Sequence, residues 1–207
     1  MELYNGKPLL CPMISCDEEG IEKISLVSEP AVMVDFVTLA KQEEIKMYAI
    51  HNEEQQIVYG VVVVADTPIY RRSATMGEYY IKYTKDVIKQ MAEKFIKDGN
   101  ANNINLEHLE GTDMDGVHMV ELFIKDAKNG INPSGFESVP DGSLFAKYKV
   151  HSPMLWNAIK NGEFKGFSLE GYFSYEEVEM SKEDTELQLW SDILDMLKQI
   201  ENKRYLR

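Results

Sequence analysis

Gly166-Phe167-Ser168-Leu169-Glu170-Gly171 closes one short apolar run of the chain, and Asn105-Leu106-Glu107-His108 closes another. Both runs are typical of β-strands, so the two segments deliver a serine and a histidine from strands. A serine hydroxyl is hardly ionised near neutral pH, and it attacks a carbonyl only when a neighbouring imidazole removes its proton. Ser168 and His108 are therefore the candidate nucleophile and general base. Their sequence separation neither requires nor forbids contact, because such pairs are defined by geometry.

Short alternating or continuous apolar runs recur along the rest of the chain and predict further strands. Residues 57–65 are almost all apolar and mostly β-branched, which favours a buried strand over a helix. Pro68 should end that run, since proline cannot donate to a strand ladder. The other predicted strands are residues 24–27, 34–37, 45–50, 78–83, 116–126 and 142–150.

Three segments carry helical periodicity instead. Thr84 should cap a helix over residues 85–97, and Ser152 followed by Pro153 should open a helix that stops at Asn161-Gly162. Residues 181–203 place apolar side chains at three- and four-residue steps, which predicts a C-terminal amphipathic helix. Many short strands with a few helices and no regular βαβ alternation indicate an α+β fold.

The composition excludes several classes of function. The 207 residues are 44% hydrophobic and carry a formal net charge of −13, so we expect a globular protein that repels nucleic acid. No apolar segment is long enough to cross a bilayer and no secretion signal is present, which predicts a cytoplasmic protein. Nucleotide-binding and zinc-protease motifs are missing, so no cofactor and no metal are expected.

The order of motifs resembles the prohead maturation proteases of tailed phages, especially the XkdF-type phage serine proteases, and more distantly the herpesvirus assemblin proteases. The resemblance spans about residues 55–176 and rests on segments 103–108, 116–117, 120–121, 156–164 and 165–171. It implies a small β-barrel with surrounding helices, which we assign to residues 1–177. The change of composition after Glu177 predicts a helical appendage at 178–207. The resemblance also implies that Ser168 is the nucleophile and His108 the general base.

The third catalytic residue is less constrained by the sequence. Glu121 interrupts a largely apolar row of the predicted strand 116–126, and a buried carboxylate needs a partner, which a histidine would provide. The resemblance places an acidic residue near this position, so Glu121 is assigned to orient His108. His118 and Glu170 are rivals: the herpesvirus enzymes use a second histidine, although theirs follows the serine, and Glu170 shares a strand face with Ser168.

The resemblance implies an endopeptidase of the immature capsid in the host cytoplasm, which cleaves scaffolding protein, capsid-protein extensions and itself. Its partners would be the phage scaffolding and major capsid proteins. The apolar face of the C-terminal helix is expected either to pack on its own domain or to pair with a second copy or with scaffold. The alternative is an inactive protease-like scaffold or assembly protein of the prohead. Both interpretations suit the acidic charge and the predicted C-terminal helix.

Overall fold

The computed structural model describes residues 3–30, 48–52, 56–73, 75–112 and 114–177. These residues form twelve strands and two α-helices. The strands divide into three sheets of five, four and three strands.

An antiparallel four-stranded sheet contains the most apolar strand of the chain. Its order is β4 (Tyr48–Asn52), β5 (Ile57–Val63), β10 (Leu144–Val150) and β9 (Val117–Ile124). β5 occupies an inner position because its β-branched side chains are apolar on both faces, and nearly all of them are buried.

A three-stranded sheet carries the segments that open the sequence. Its central strand is β3 (Gly20–Val27), which pairs in parallel with β8 (Ile104–Leu106) and antiparallel with β11 (Gly166–Tyr172). β11 also packs against β5, which joins this sheet to the apolar core. The two segments that the sequence singles out thus flank one strand.

The remaining strands form a mixed sheet that combines the first and last described strands of the chain. β2 pairs in parallel with β7, while its pairings with β1 and β12 and that of β6 with β7 are antiparallel. The strands are β1 (Leu3–Tyr4), β2 (Lys7–Met13), β6 (Pro68–Ser73), β7 (Gly77–Lys82) and β12 (Ser174–Glu177).

Both helices begin as their sequence predicts. α1 (Lys85–Lys97) is capped by Thr84, whose hydroxyl accepts a hydrogen bond from the backbone of Val87, and its buried face packs on β3, β9 and β10. α2 (Pro153–Lys160) is capped by Ser152, with proline at the first helical position. Two short 3₁₀ turns lie at Asn100–Asn102 and Ala127–Asn129.

The α+β prediction is confirmed, but the predicted closed barrel is wrong for the described residues. Their strands belong to three sheets, and none of these sheets closes on itself. Strand periodicity identifies which residues form strands, whereas closure depends on which edges pair, and that information is absent from the spacing. The predicted strand 34–37 and the predicted C-terminal helix lie outside the described residues.

Candidate active site

Three polar side chains lie side by side in a row across the three-stranded sheet. Ser25 of β3 is directly opposite Asn105 of β8 on one side and Ser168 of β11 on the other. Residues directly opposite each other project from the same face, with Cβ atoms about 4.5–5.5 Å apart in an antiparallel pair. Ser25 and Asn105 are buried, whereas Ser168 is half-buried.

His108 reaches this row from a tight turn just beyond β8. Glu107 and His108 have φ values of 52° and 58°, so both adopt the left-handed conformation that costs a non-glycine residue about 1–2 kcal/mol. Two hydrogen bonds hold the turn, one to β3 and one to the residue that follows it. The Glu107 backbone N–H donates to the carbonyl of Leu26 at 2.9 Å, and its carboxylate accepts from the backbone N–H of Ser28 at 2.6 Å. Strain of this kind persists where surrounding contacts fix the geometry, and it concentrates at functional sites.

The imidazole of His108 contacts Glu170, which projects from β11 two residues beyond Ser168. Its Nδ1 lies 2.9 Å from Glu170 Oε1 and 3.0 Å from Ser25 Oγ. The same carboxylate oxygen lies 2.6 Å from Ser25 Oγ and accepts a hydrogen bond from Asn105 Nδ2 at 2.7 Å. A fifth contact, of 2.6 Å, joins Ser25 Oγ to Asn105 Oδ1. These four residues form one connected cluster.

The contacts determine which ring nitrogen of His108 carries the hydrogen in its neutral form. Nδ1 faces a carboxylate oxygen, which only accepts, so Nδ1 must donate to it. A neutral imidazole has one protonated nitrogen, and Nε2 therefore keeps its lone pair. This is the arrangement in which a histidine serves as a general base while a carboxylate orients it.

Glu170 is held in its ionised form. Partial burial alone would raise the pKa of its carboxyl group, but hydrogen bonds from Ser25, Asn105 and His108 together outweigh burial and lower that pKa. The side chains of His108 and Glu170 are 39% and 30% exposed, so the cluster borders solvent at the imidazole. A substrate can approach from that side.

Ser168 lies next to this cluster without being bonded into it. It is directly opposite Ser25, whose hydroxyl contacts His108, yet within the described part of the chain no hydrogen bond joins Ser168 to the imidazole. Catalytic hydrogen bonds are often long before substrate binds, so this geometry leaves the assignment of Ser168 as a prediction.

Glu121 makes its contact elsewhere, with a different partner. Its carboxylate pairs with Lys147 Nζ at 2.7 Å, and its side chain is 52% exposed. A bulge in β9 explains the difference from the prediction: Glu121 lies opposite Lys147 while Met119 lies opposite Tyr148, so Val120 is an extra residue. The bulge shifts Glu121 out of the apolar row that strict alternation predicts. The carboxylate that contacts His108 is that of the rival, Glu170.

His118, the other rival, also lies on β9. Its ring stacks on that of His151 with 4.9 Å between centroids, and both side chains are exposed. No contact joins it to His108 in the described residues.

Ser25 and Asn105 are cluster members that the sequence analysis did not assign. Each interrupts an apolar run, as in Ile24-Ser25-Leu26 and Ile104-Asn105-Leu106. A polar residue within a buried strand must find a partner, so this interruption was a usable signal. What the sequence does not contain is the pairing of β3 with both β8 and β11.

Comparisons with known proteins identify a family that the chain matches. Residues 44–177 match the family model described as "Putative phage serine protease XkdF". The chain is also 29% identical over 172 residues to a protein of Bacillus subtilis (strain 168) with the printed name "Uncharacterized protein YqbD". That alignment covers 82% of this chain but 46% of the relative, so the chain spans about half of the relative's length. No solved structure matches the chain.

Proposed function

Because the chain belongs to the XkdF family of phage serine proteases, we propose that it is a serine peptidase in which Ser168 attacks the scissile carbonyl. His108 accepts the hydroxyl proton at Nε2 and later delivers it to the leaving amine. Glu170 orients the imidazole and stabilises its positive charge. The observation that carries this proposal is the contact of 2.9 Å between His108 Nδ1 and Glu170 Oε1, because Glu170 lies only two residues along β11 from the half-buried Ser168.

Each step follows from the protonation states of the cluster. Attack forms a bond between Ser168 Oγ and the carbonyl carbon while the hydroxyl proton moves to His108, so a tetrahedral oxyanion faces an imidazolium. Collapse breaks the C–N bond, the proton leaves with the amine, and an acyl ester remains on Ser168. Water, activated by the same imidazole, then hydrolyses the ester.

A second serine near His108, Ser25, is a poor candidate for the nucleophile. Its hydroxyl is within 3.0 Å of Nδ1, but the residue is 0% exposed and cannot reach a peptide carbonyl. The Ser25 hydroxyl also contacts Nδ1, the protonated nitrogen that donates to Glu170, and so it does not face the nitrogen that acts as the base. Ser168 is accessible and lies beside Ser25 on the edge strand of the three-stranded sheet.

The biological role that fits this chemistry is maturation of the phage prohead. We propose that the substrates are scaffolding protein, extensions of the capsid protein and the chain itself, and that cleavage takes place inside the immature capsid in the host cytoplasm. Residues 1–177 would form the protease domain, and residues 178–207 an appendage that pairs with a second copy or with scaffold. Among the described residues, no helix is long and apolar enough to cross a membrane.

An inactive assembly protein remains the competing function, because no hydrogen bond joins Ser168 to His108 among the described residues. The discriminating experiment is co-expression of the chain with its phage scaffolding protein, followed by mass spectrometry of the products. We expect defined scaffold fragments with the unmodified chain and none with Ser168→Ala or His108→Ala. Ser73→Ala, in a different sheet, is the matched control and should leave cleavage intact. Equal processing by the unmodified chain and Ser168→Ala would reject the peptidase.

A further inference from the structure

The best-connected residue of the cluster is a buried serine that no proposed catalytic step uses. Ser25 Oγ has polar atoms of three side chains within hydrogen-bond distance: Asn105 Oδ1 at 2.6 Å, Glu170 Oε1 at 2.6 Å and His108 Nδ1 at 3.0 Å. The residue is 0% exposed, so these contacts replace water entirely. A buried hydroxyl in this position holds its neighbours strongly, because an unsatisfied buried polar group is costly.

The hydroxyl has one proton for two close oxygen acceptors. Whichever oxygen receives the proton, a lone pair of Ser25 Oγ stays available to the Nδ1–H of His108. Nδ1 therefore faces two acceptors, the Ser25 hydroxyl and the Glu170 carboxylate. Both become stronger partners when the imidazole turns positive, since hydrogen bonds from a charged donor are about twice as strong.

Asn105 completes the arrangement. Its amide donates to Glu170 Oε1 while its carbonyl oxygen lies against the Ser25 hydroxyl, so the two neutral residues hold the carboxylate from two sides. Strand pairing fixes this geometry, because Ser25 and Asn105 are directly opposite each other in the parallel register of β3 and β8.

We infer that Ser25 is a positioning residue of the peptidase, which holds the His108 ring with Nδ1 protonated and Nε2 directed to Ser168. This inference rests on the proposed function. It adds a buried hydroxyl behind the histidine, opposite the nucleophile across one strand pair. Without it, the ring keeps a single acceptor at Nδ1 and samples orientations in which Nε2 no longer faces the nucleophile.

The test uses the full chain and a fluorophosphonate probe, which phosphonylates a serine that a histidine activates. The rate of adduct formation at Ser168 is followed by intact mass across the pH range 5–9, with thermal unfolding measured in parallel. Ser143→Ala is the matched control: Ser143 is also a 0% exposed serine, and its hydroxyl accepts from the backbone N–H of Ala65 at 3.0 Å. Each alanine variant removes one buried hydroxyl, so thermal unfolding of both shows how much of any rate loss comes from lost stability.

We expect Ser25→Ala to label about 10–100-fold more slowly than Ser143→Ala at each pH, in line with the cost of losing a group that orients a ligand or base. Ser25→Thr, which keeps the hydroxyl, should recover much of the rate. Nitrogen NMR of His108 should report protonated Nδ1 in the unmodified chain and in Ser143→Ala, but a mixture of tautomers in Ser25→Ala.

Three outcomes overturn the inference. Labelling of Ser25→Ala at the rate of Ser143→Ala rejects the positioning role while leaving the peptidase intact. No labelling of the unmodified chain rejects the peptidase and with it this role. If Ser25→Ala does not fold, Ser25→Cys replaces it, since a thiol keeps the volume but is a weak donor and acceptor; a full labelling rate in that folded variant contradicts the inference.

Discussion

Replacing Glu170 with glutamine removes one negative charge from behind His108 while preserving the shape of the side chain. At the separation of 2.9 Å, an imidazolium and a carboxylate attract by about 6 kcal/mol if the effective dielectric constant is about 20. Both side chains are about one third exposed, so solvent screening reduces this attraction to about 3–4 kcal/mol. The positive charge on His108 develops in the transition state. Losing its attraction to Glu170 therefore raises the activation free energy and slows the reaction of Ser168.

We therefore predict that Glu170→Gln slows phosphonylation of Ser168 by about 10²–10³-fold, since each tenfold change corresponds to about 1.4 kcal/mol. Glu121→Gln provides the matched control, because it makes the same chemical change at an exposed carboxylate paired with Lys147. An exposed ion pair is worth about 0–1 kcal/mol, so that variant should label within about fivefold of the unmodified rate.

The assay is the second-order rate of adduct formation, measured by intact mass at pH 7.5 on both variants, with circular dichroism to show that each is folded. The pair of variants separates the two assignments of the third residue. A strong effect of Glu121→Gln with a weak effect of Glu170→Gln would refute the reasoning from the structure and restore the assignment made from sequence.

Two further predictions concern the strand that carries Ser168. Gly171→Ala should destabilise the fold by about 1–3 kcal/mol in urea unfolding and should slow labelling of Ser168. The added Cβ would lie 1.9 Å from the backbone oxygen of Gly20 and would push β11 away from β3. Unchanged stability would contradict this close approach. The second prediction concerns pH. The pKa of Glu170 is lowered in the folded protein, so its contribution to stability is present above the ordinary glutamate pKa of about 4.3 and is lost as pH falls through the folded value. Glu170→Gln should therefore be less stable than the unmodified chain at pH 7, with the gap closing toward pH 3 in the same urea measurement; a gap that is independent of pH would contradict it.

Local signals predicted both described α-helices and most of the described strands accurately. Thr84 and Ser152 begin their helices at the predicted positions, because a side-chain cap is decided by residues within one turn. Strand β5 begins at the predicted residue, Ile57, and stops two residues before the predicted end, since a dense β-branched run depends little on its neighbours. The barrel prediction failed because closure is a property of edge pairing between distant segments.

The residues of the candidate site also divide into those that local sequence predicts and those that depend on strand pairing. His108 and Ser168 were predicted from their own segments, and the structure brings those segments to either side of β3. Glu121 was assigned from strict strand alternation together with the family resemblance, and a single extra residue at Val120 breaks that alternation. No local sequence pattern predicts such a bulge, because a bulge is defined by how many residues lie opposite one residue of the partner strand.

The role of Ser25 was out of reach for a related reason. A serine within an apolar run has many possible partners, and only the parallel pairing of β3 with β8 brings Asn105 beside it. The carboxylate of Glu170 comes from the opposite neighbour, β11. The cluster is therefore a product of three strands that are distant in sequence.

The most direct test of the account is to map the fluorophosphonate adduct on the unmodified chain by tandem mass spectrometry of its peptides. The account predicts one adduct, on Ser168, which disappears in His108→Ala. An adduct on another serine, or an adduct on Ser168 that forms equally fast without His108, would contradict it.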